Sequence, residues 1–63
     1  MNVEIEIITG DGDTSSLFVE CDRFEKASYS TLLINDKPIS IVDDWSFGRV
    51  TAYGREIQLG EVL

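Results

Sequence analysis

Apolar and polar residues alternate with a period of two along most of this chain, the spacing of strands with one covered face. Residues 2–9, NVEIEIIT, put Val3, Ile5 and Ile7 on one side and Glu4 and Glu6 on the other. A turn is expected at 10–14, where Gly and Asp accept positive φ, and a return strand over 16–21. Opposing Ile7 with Leu17 brings Ile5 to Val19 and Val3 to Cys21 on one apolar face. The same register sets Glu4 beside Glu20 and Glu6 beside Phe18 on the other face, a like-charge pairing that mildly destabilises a ladder.

Residues 31–42, TLLINDKPISIV, read as a tight hairpin around Asn35-Asp36, a pair suited to a type I′ turn. A two-residue loop fixes the partners: Ile34 with Lys37, Leu32 with Ile39 and Ser30 with Ile41 on one face. Leu33 with Pro38, Thr31 with Ser40 and Tyr29 with Val42 fall on the other. Pro38 donates no N–H, so its strand belongs at a sheet edge. Both faces are partly apolar. A second copy of the chain covering Tyr29, Leu33 and Val42 is therefore one expectation.

A third strand is expected over 26–34, with Phe24 tucked beneath the 22–25 connection, and a loop over 43–46 carries the only Trp. The last hairpin, 47–53 with 56–59, turns at Gly54-Arg55 and pairs Ala52 with Ile57 and Val50 with Leu59. Gly48 marks a bulge or a close crossing of strands, and residues 60–63 add a short strand or stay loose. The expected core is Ile5, Ile7, Leu17, Val19, Leu32, Ile39, Val50, Ala52, Ile57 and Leu59. No segment has helical periodicity. The expected architecture is one all-β domain over 1–63: a six-strand antiparallel meander curled into an SH3-like or OB-like small barrel or a sandwich, since short strands bury their apolar faces by closing or stacking.

Composition narrows the chemistry. Sixty-three residues with one Cys and no His exclude an internal disulfide and a Cys/His zinc framework. A lone Cys fits a reducing cytoplasm. There is no apolar run of membrane-spanning length and no signal-peptide pattern. No base stands ready to activate a Ser or Thr, Cys21 faces the apolar side, and no cofactor is implied, so the chain is not expected to be an enzyme. Asp11-Gly12-Asp13 has the look of part of a calcium loop, but the twelve-residue pattern and its closing Glu are missing, and a plain turn has the same composition.

Charge points to a partner. The net charge is −7, and residues 1–22 hold six acids (Glu4, Glu6, Asp11, Asp13, Glu20, Asp22) with no Lys or Arg. Such a surface repels nucleic acid and anionic membrane and attracts a basic protein. Carboxylates two apart on a strand stand about 7 Å apart, close to the phosphate spacing along a nucleic-acid strand. The functional expectation is an acidic interaction module, an inhibitor or decoy of a nucleic-acid-binding enzyme in the manner of small viral inhibitors. Glu4, Glu6, Glu20, Asp11, Asp13, Asp22 and Trp45 are its candidate contacts. The alternative is an assembly protein self-associating through the Tyr29, Leu33 and Val42 face. A solvated face and a Trp that caps the core are the plainer explanations of the same residues.

Overall fold

The computed structural model describes residues 1–42 and 44–63; Asp43, assigned above to the 43–46 loop, lies outside them. The alternating segments form seven strands: β1 (Asn2–Ile8), β2 (Thr14–Glu20), β3 (Phe24–Lys26), β4 (Thr31–Ile34), β5 (Lys37–Ser40), β6 (Ser46–Ala52) and β7 (Arg55–Glu56). They make two antiparallel sheets, in the orders β2-β1-β6-β7 and β3-β4-β5. The inner faces share one core. Val3, Ile5, Phe47, Val50 and Ala52 come from the first sheet and Phe24 and Leu32 from the second, with Cys21 and Ile57 supplied by the segments after β2 and β7.

The small closed barrel expected above does not form. The two sheets stay open and pack as a sandwich. A meander would place each hairpin beside the next, but β6 crosses back to pair with β1. β1 is thereby buried between two partners, and β2 is left at an edge. The strands of the second sheet are three or four residues long, too short to tilt around and pair with the first sheet at both ends, as closure requires. The tail takes the remaining edge instead. Glu25 bridges Val62, and Leu63 N–H donates to the Phe24 carbonyl at 2.7 Å while Lys26 N–H donates to the Glu61 carbonyl at 3.1 Å.

The 31–42 hairpin has the expected register, with Ile34 opposite Lys37 and Leu32 opposite Ile39. Asn35 and Asp36 both adopt positive φ (51° and 66°), as a type I′ turn demands. The other two hairpins differ. β1 pairs Ile5 with Leu17 and Val3 with Val19, a slip of two residues from the expected register. In the last hairpin Tyr53 and Gly54 take the turn (φ 54° and 75°), so Ala52 faces Arg55 and Ile57 N–H donates to the Val50 carbonyl at 2.7 Å. Both slips are even, so the inward set stays inward. The core still differs from the expected one: Leu17, Leu59 and, in the unslipped hairpin, Ile39 are exposed, Ile7 and Val19 are half-buried, and Val3, Cys21, Phe24 and Phe47 are covered. The single strand expected over 26–34 is broken in two, its ends falling in β3 (Phe24–Lys26) and β4 (Thr31–Ile34).

Candidate functional site

The outer face of the first sheet gathers most of its charge. Down β1 it carries Glu4 and Glu6. Across the ladder Glu4 faces Phe18, Glu6 faces Ser16 and Asn2 faces Glu20. On the other side Glu4 faces Thr51, and Thr51 in turn faces Glu56. Glu4, Glu6 and Glu20 thus lie beside Phe18, which is 72% exposed, while Glu56 stands on the same face two strands beyond β1. Arg49 is the cation here, and its Nε lies 3.7 Å from Glu56 Oε1. A shallow depression of about 180 Å³ runs between Glu4, Glu6, Ser16, Arg49 and Thr51.

The expected Glu4–Glu20 repulsion is absent, because the two-residue slip separates them. Glu20 instead meets the N-terminal ammonium at 3.1 Å, which also donates to the Cys21 carbonyl at 2.7 Å. Glu6 has a structural task. The β1–β6 register shifts between Ile5 and Ile7, which leaves Gly48 and Arg49 together opposite Glu6 in a bulge. The Glu6 carboxylate accepts the Arg49 backbone N–H at 3.2 Å. A Cβ on Gly48 would sit 2.4 Å from Glu6 Oε1, so the glycine makes room for that carboxylate.

The remaining candidate contacts are dispersed. Asp11 and Asp13 are exposed at the turn beyond β1, where Asp44 packs against Gly10. Trp45, 42% exposed, lies at the same end of the sheet, next to Ser46, which faces Ile8. Asp22 is at the opposite end, its backbone N–H held by Asn35 Oδ1 at 2.8 Å. Among the described residues no three Asp, Glu, His or Cys side chains converge as a metal cage would require. Glu4, Glu6 and Glu20 therefore share a face, and Asp11, Asp13, Asp22 and Trp45 do not join them. On the second sheet, Leu33 lines a depression of about 270 Å³ with Arg23, Glu25, Asp36 and Val62. Tyr29 and Val42 are exposed beyond it, brought opposite each other by carrying the β4–β5 register past the Ile41 N–H bond to the Ser30 carbonyl.

Several ordering residues escaped the sequence reading. Asn35 accepts the N–H groups of Asp22 and Arg23 (2.8 and 3.0 Å) on one oxygen, and Asp36 pairs with Arg23, so the hairpin tip is clamped to the connection before β3. Glu61 is held by Arg55 and accepts the Gln58 N–H at 3.1 Å. The Arg55 hydrogen bond, then the Gln58 N–H, lowers the Glu61 carboxyl from near 4.5 to about 2. Lys26 is buried on the inner side opposite Leu32. Among the described residues no buried side-chain nitrogen or oxygen lacks a partner, so its covered stem carries the ammonium out to water. Only Asn35 and Asp36 had a visible signal, as the turn pair. Burial pushes the Cys21 thiol up, opposed by the N-terminal ammonium, which keeps it protonated and inert.

No protein-family model, curated protein or solved structure matches this chain.

Proposed function

We propose that this chain is a non-enzymatic interaction module whose first sheet presents its outer face to a basic protein surface, with the nucleic-acid groove of an enzyme as the target. The observation that carries this reading is exposed Phe18 flanked on one face by Glu4, Glu6 and Glu20, with Glu56 farther across the same face and engaged with Arg49. An aromatic ring set among carboxylates combines an apolar anchor with electrostatic steering, the pairing that gives fast and selective association. The sheet holds these groups on adjacent strands, so little ordering entropy is lost on docking.

The test uses two resins, one bearing the parent chain and one bearing the Glu4→Lys, Phe18→Ala, Glu20→Lys variant. Both are exposed to extract of the native host, and the retained proteins are identified by mass spectrometry. The expected partner is held by the parent alone, is displaced by the nucleic acid it binds, and associates more weakly as salt rises over the range where screening shortens to about 8 Å. A partner retained equally by both resins overturns the reading.

A further inference from the structure

β2 is an open edge with few of the usual protections. Thr9 N–H donates to the Asp13 carbonyl at 2.9 Å and Cys21 N–H to the Met1 carbonyl at 3.0 Å. These two bonds bracket the β1–β2 ladder and set its parity: Ser15, Leu17 and Val19 bond inward to β1, and Thr14, Ser16, Phe18 and Glu20 turn their N–H and C=O groups outward. Among the described residues nothing takes these groups, and β2 has no substantial strand contact besides β1. Its seven residues contain no Pro, Lys or Arg, the residues that discourage strand addition.

We propose that a second copy of this chain adds to this edge, β2 against β2, antiparallel about a twofold axis at Leu17. The strand is complementary to itself in that register. Ser16 meets Phe18 of the partner subunit and Thr14 meets Glu20 of the partner subunit, so all four outward residues of each chain are paired. A slip of two in either direction strands an outward residue at each end. Leu17, 39% exposed on the inner side, meets Leu17 of the partner subunit, and Val19 meets Ser15 of the partner subunit. The strand's one charge, Glu20, falls opposite a threonine and is already matched by its own N-terminal ammonium. That makes the edge a poor lure for a basic foreign strand and a good fit for itself. The twofold stands perpendicular to the sheet, so the two acidic faces lie side by side on one surface.

The association has a distinctive salt response. Each copy carries a charge of −7, so salt screens their repulsion and tightens the dimer, opposite in sign to binding a basic partner. The decisive experiment is amide hydrogen exchange on the parent chain from about 10 µM to about 1 mM, the range suited to a small interface. The amides of Thr14, Ser16, Phe18 and Glu20 are expected to gain protection with concentration, while those of Ser15, Leu17 and Val19 are protected throughout. Ser16→Pro removes an outward N–H that the single chain does not use; it should leave the melting temperature of the dilute monomer unchanged and weaken the dimer by about tenfold or more in sedimentation. Outward amides that exchange alike at both concentrations overturn the proposal. So does a dimer indifferent to Ser16→Pro but lost in Leu33→Lys, which would place the contact on the second sheet. Protection that comes only when a basic peptide is added also overturns it.

Discussion

The hairpins β1–β2 and β4–β5 both end on a free strand, and they treat that edge in opposite ways. β5 is four residues long, begins with Lys37, and has Pro38 where an outward N–H would stand. Its turn is clamped by Asn35 and Asp36 to the connection before β3. β2 is seven residues long, uncharged until Glu20, and exposes Leu17 and Phe18. Its partner β1 is held on both sides, so the open strand is carried on a firm one. One hairpin is finished against further pairing, and the other remains available for it.

The largest effect should come from the residues that anchor each hairpin. Ile5 in β1 and Leu32 in β4 are fully covered, so Ile5→Ala and Leu32→Ala are each expected to cost about 2–5 kcal/mol in denaturant unfolding. Their partners across the ladders, Leu17 and Ile39, are 39% and 46% exposed, and truncating either should cost about 1 kcal/mol or less. A Leu17→Ala variant as unstable as Ile5→Ala would break the comparison, because β2 would then be part of the core.

The second effect sharpens the contrast between the two turns. Asn35→Ala leaves the Asp22 and Arg23 N–H groups without their acceptor and gives up asparagine's tolerance of positive φ. A loss of about 1–3 kcal/mol is expected, with Asn35→Gly recovering the backbone part, about 1 kcal/mol. Gly12→Ala in the first hairpin meets only the backbone penalty, since its φ is 87° and nothing lies within 4 Å of the added carbon. Equal losses for Asn35→Ala and Gly12→Ala in thermal melts would mean that the clamp contributes nothing.

These turns also explain what could be read from the sequence. A two-residue Asn-Asp loop leaves one geometry for its strands, and the 31–42 register followed from it. The 10–14 turn closes several registers equally well. Alternation cannot choose between those two residues apart, because an even slip keeps Val3, Ile5 and Ile7 on the same side. The same blindness hid Tyr53 as a turn residue and put Leu59 in the expected core, where the structure exposes it. The return of β6 to β1 had no local signal, so neither the sandwich nor the open state of β2 was visible. Of the candidate site, the shared face of Glu4, Glu6 and Glu20 survived the slip, again because it was even. Phe18 stays on that face in either register, with Glu4 in place of Glu6 as its partner, whereas the place of Glu56 depends on β6 and could not be read.

A pH titration separates the two edges further. The tail that covers β3 depends on Glu61, whose carboxyl is lowered to about 2 by Arg55 and the Gln58 N–H. A folded-state pKa below the unfolded one contributes stability that is full above about 4.5 and is lost as pH falls toward about 2. The parent should therefore lose more stability than Glu61→Gln across that window, with Leu63 and Lys26 amides losing protection first. Equal acid sensitivity in the two chains would show that the Arg55–Glu61 pair, which is largely solvent-exposed, does not hold the tail.

The smallest effect divides two glutamates that are neighbours on one face. Glu6 accepts the Arg49 N–H inside the bulge, while the Glu4 carboxylate makes no hydrogen bond among the described residues and stands between Phe18 and Thr51. Glu6→Ala should lose the one charge-assisted bond at that bulge and cost about 1 kcal/mol. Glu4→Ala should stay within about 0.5 kcal/mol of the parent. In partner binding the order reverses: Glu4, with no backbone bond to give up, should lose more affinity than Glu6 when each is changed to Gln. The comparison is made with each variant's unfolding and binding measured side by side. If Glu6→Gln loses as much affinity as Glu4→Gln with stability intact, the Glu6 carboxylate serves the partner more than the bulge, and the bulge must then be held by the close fit of Gly48 alone.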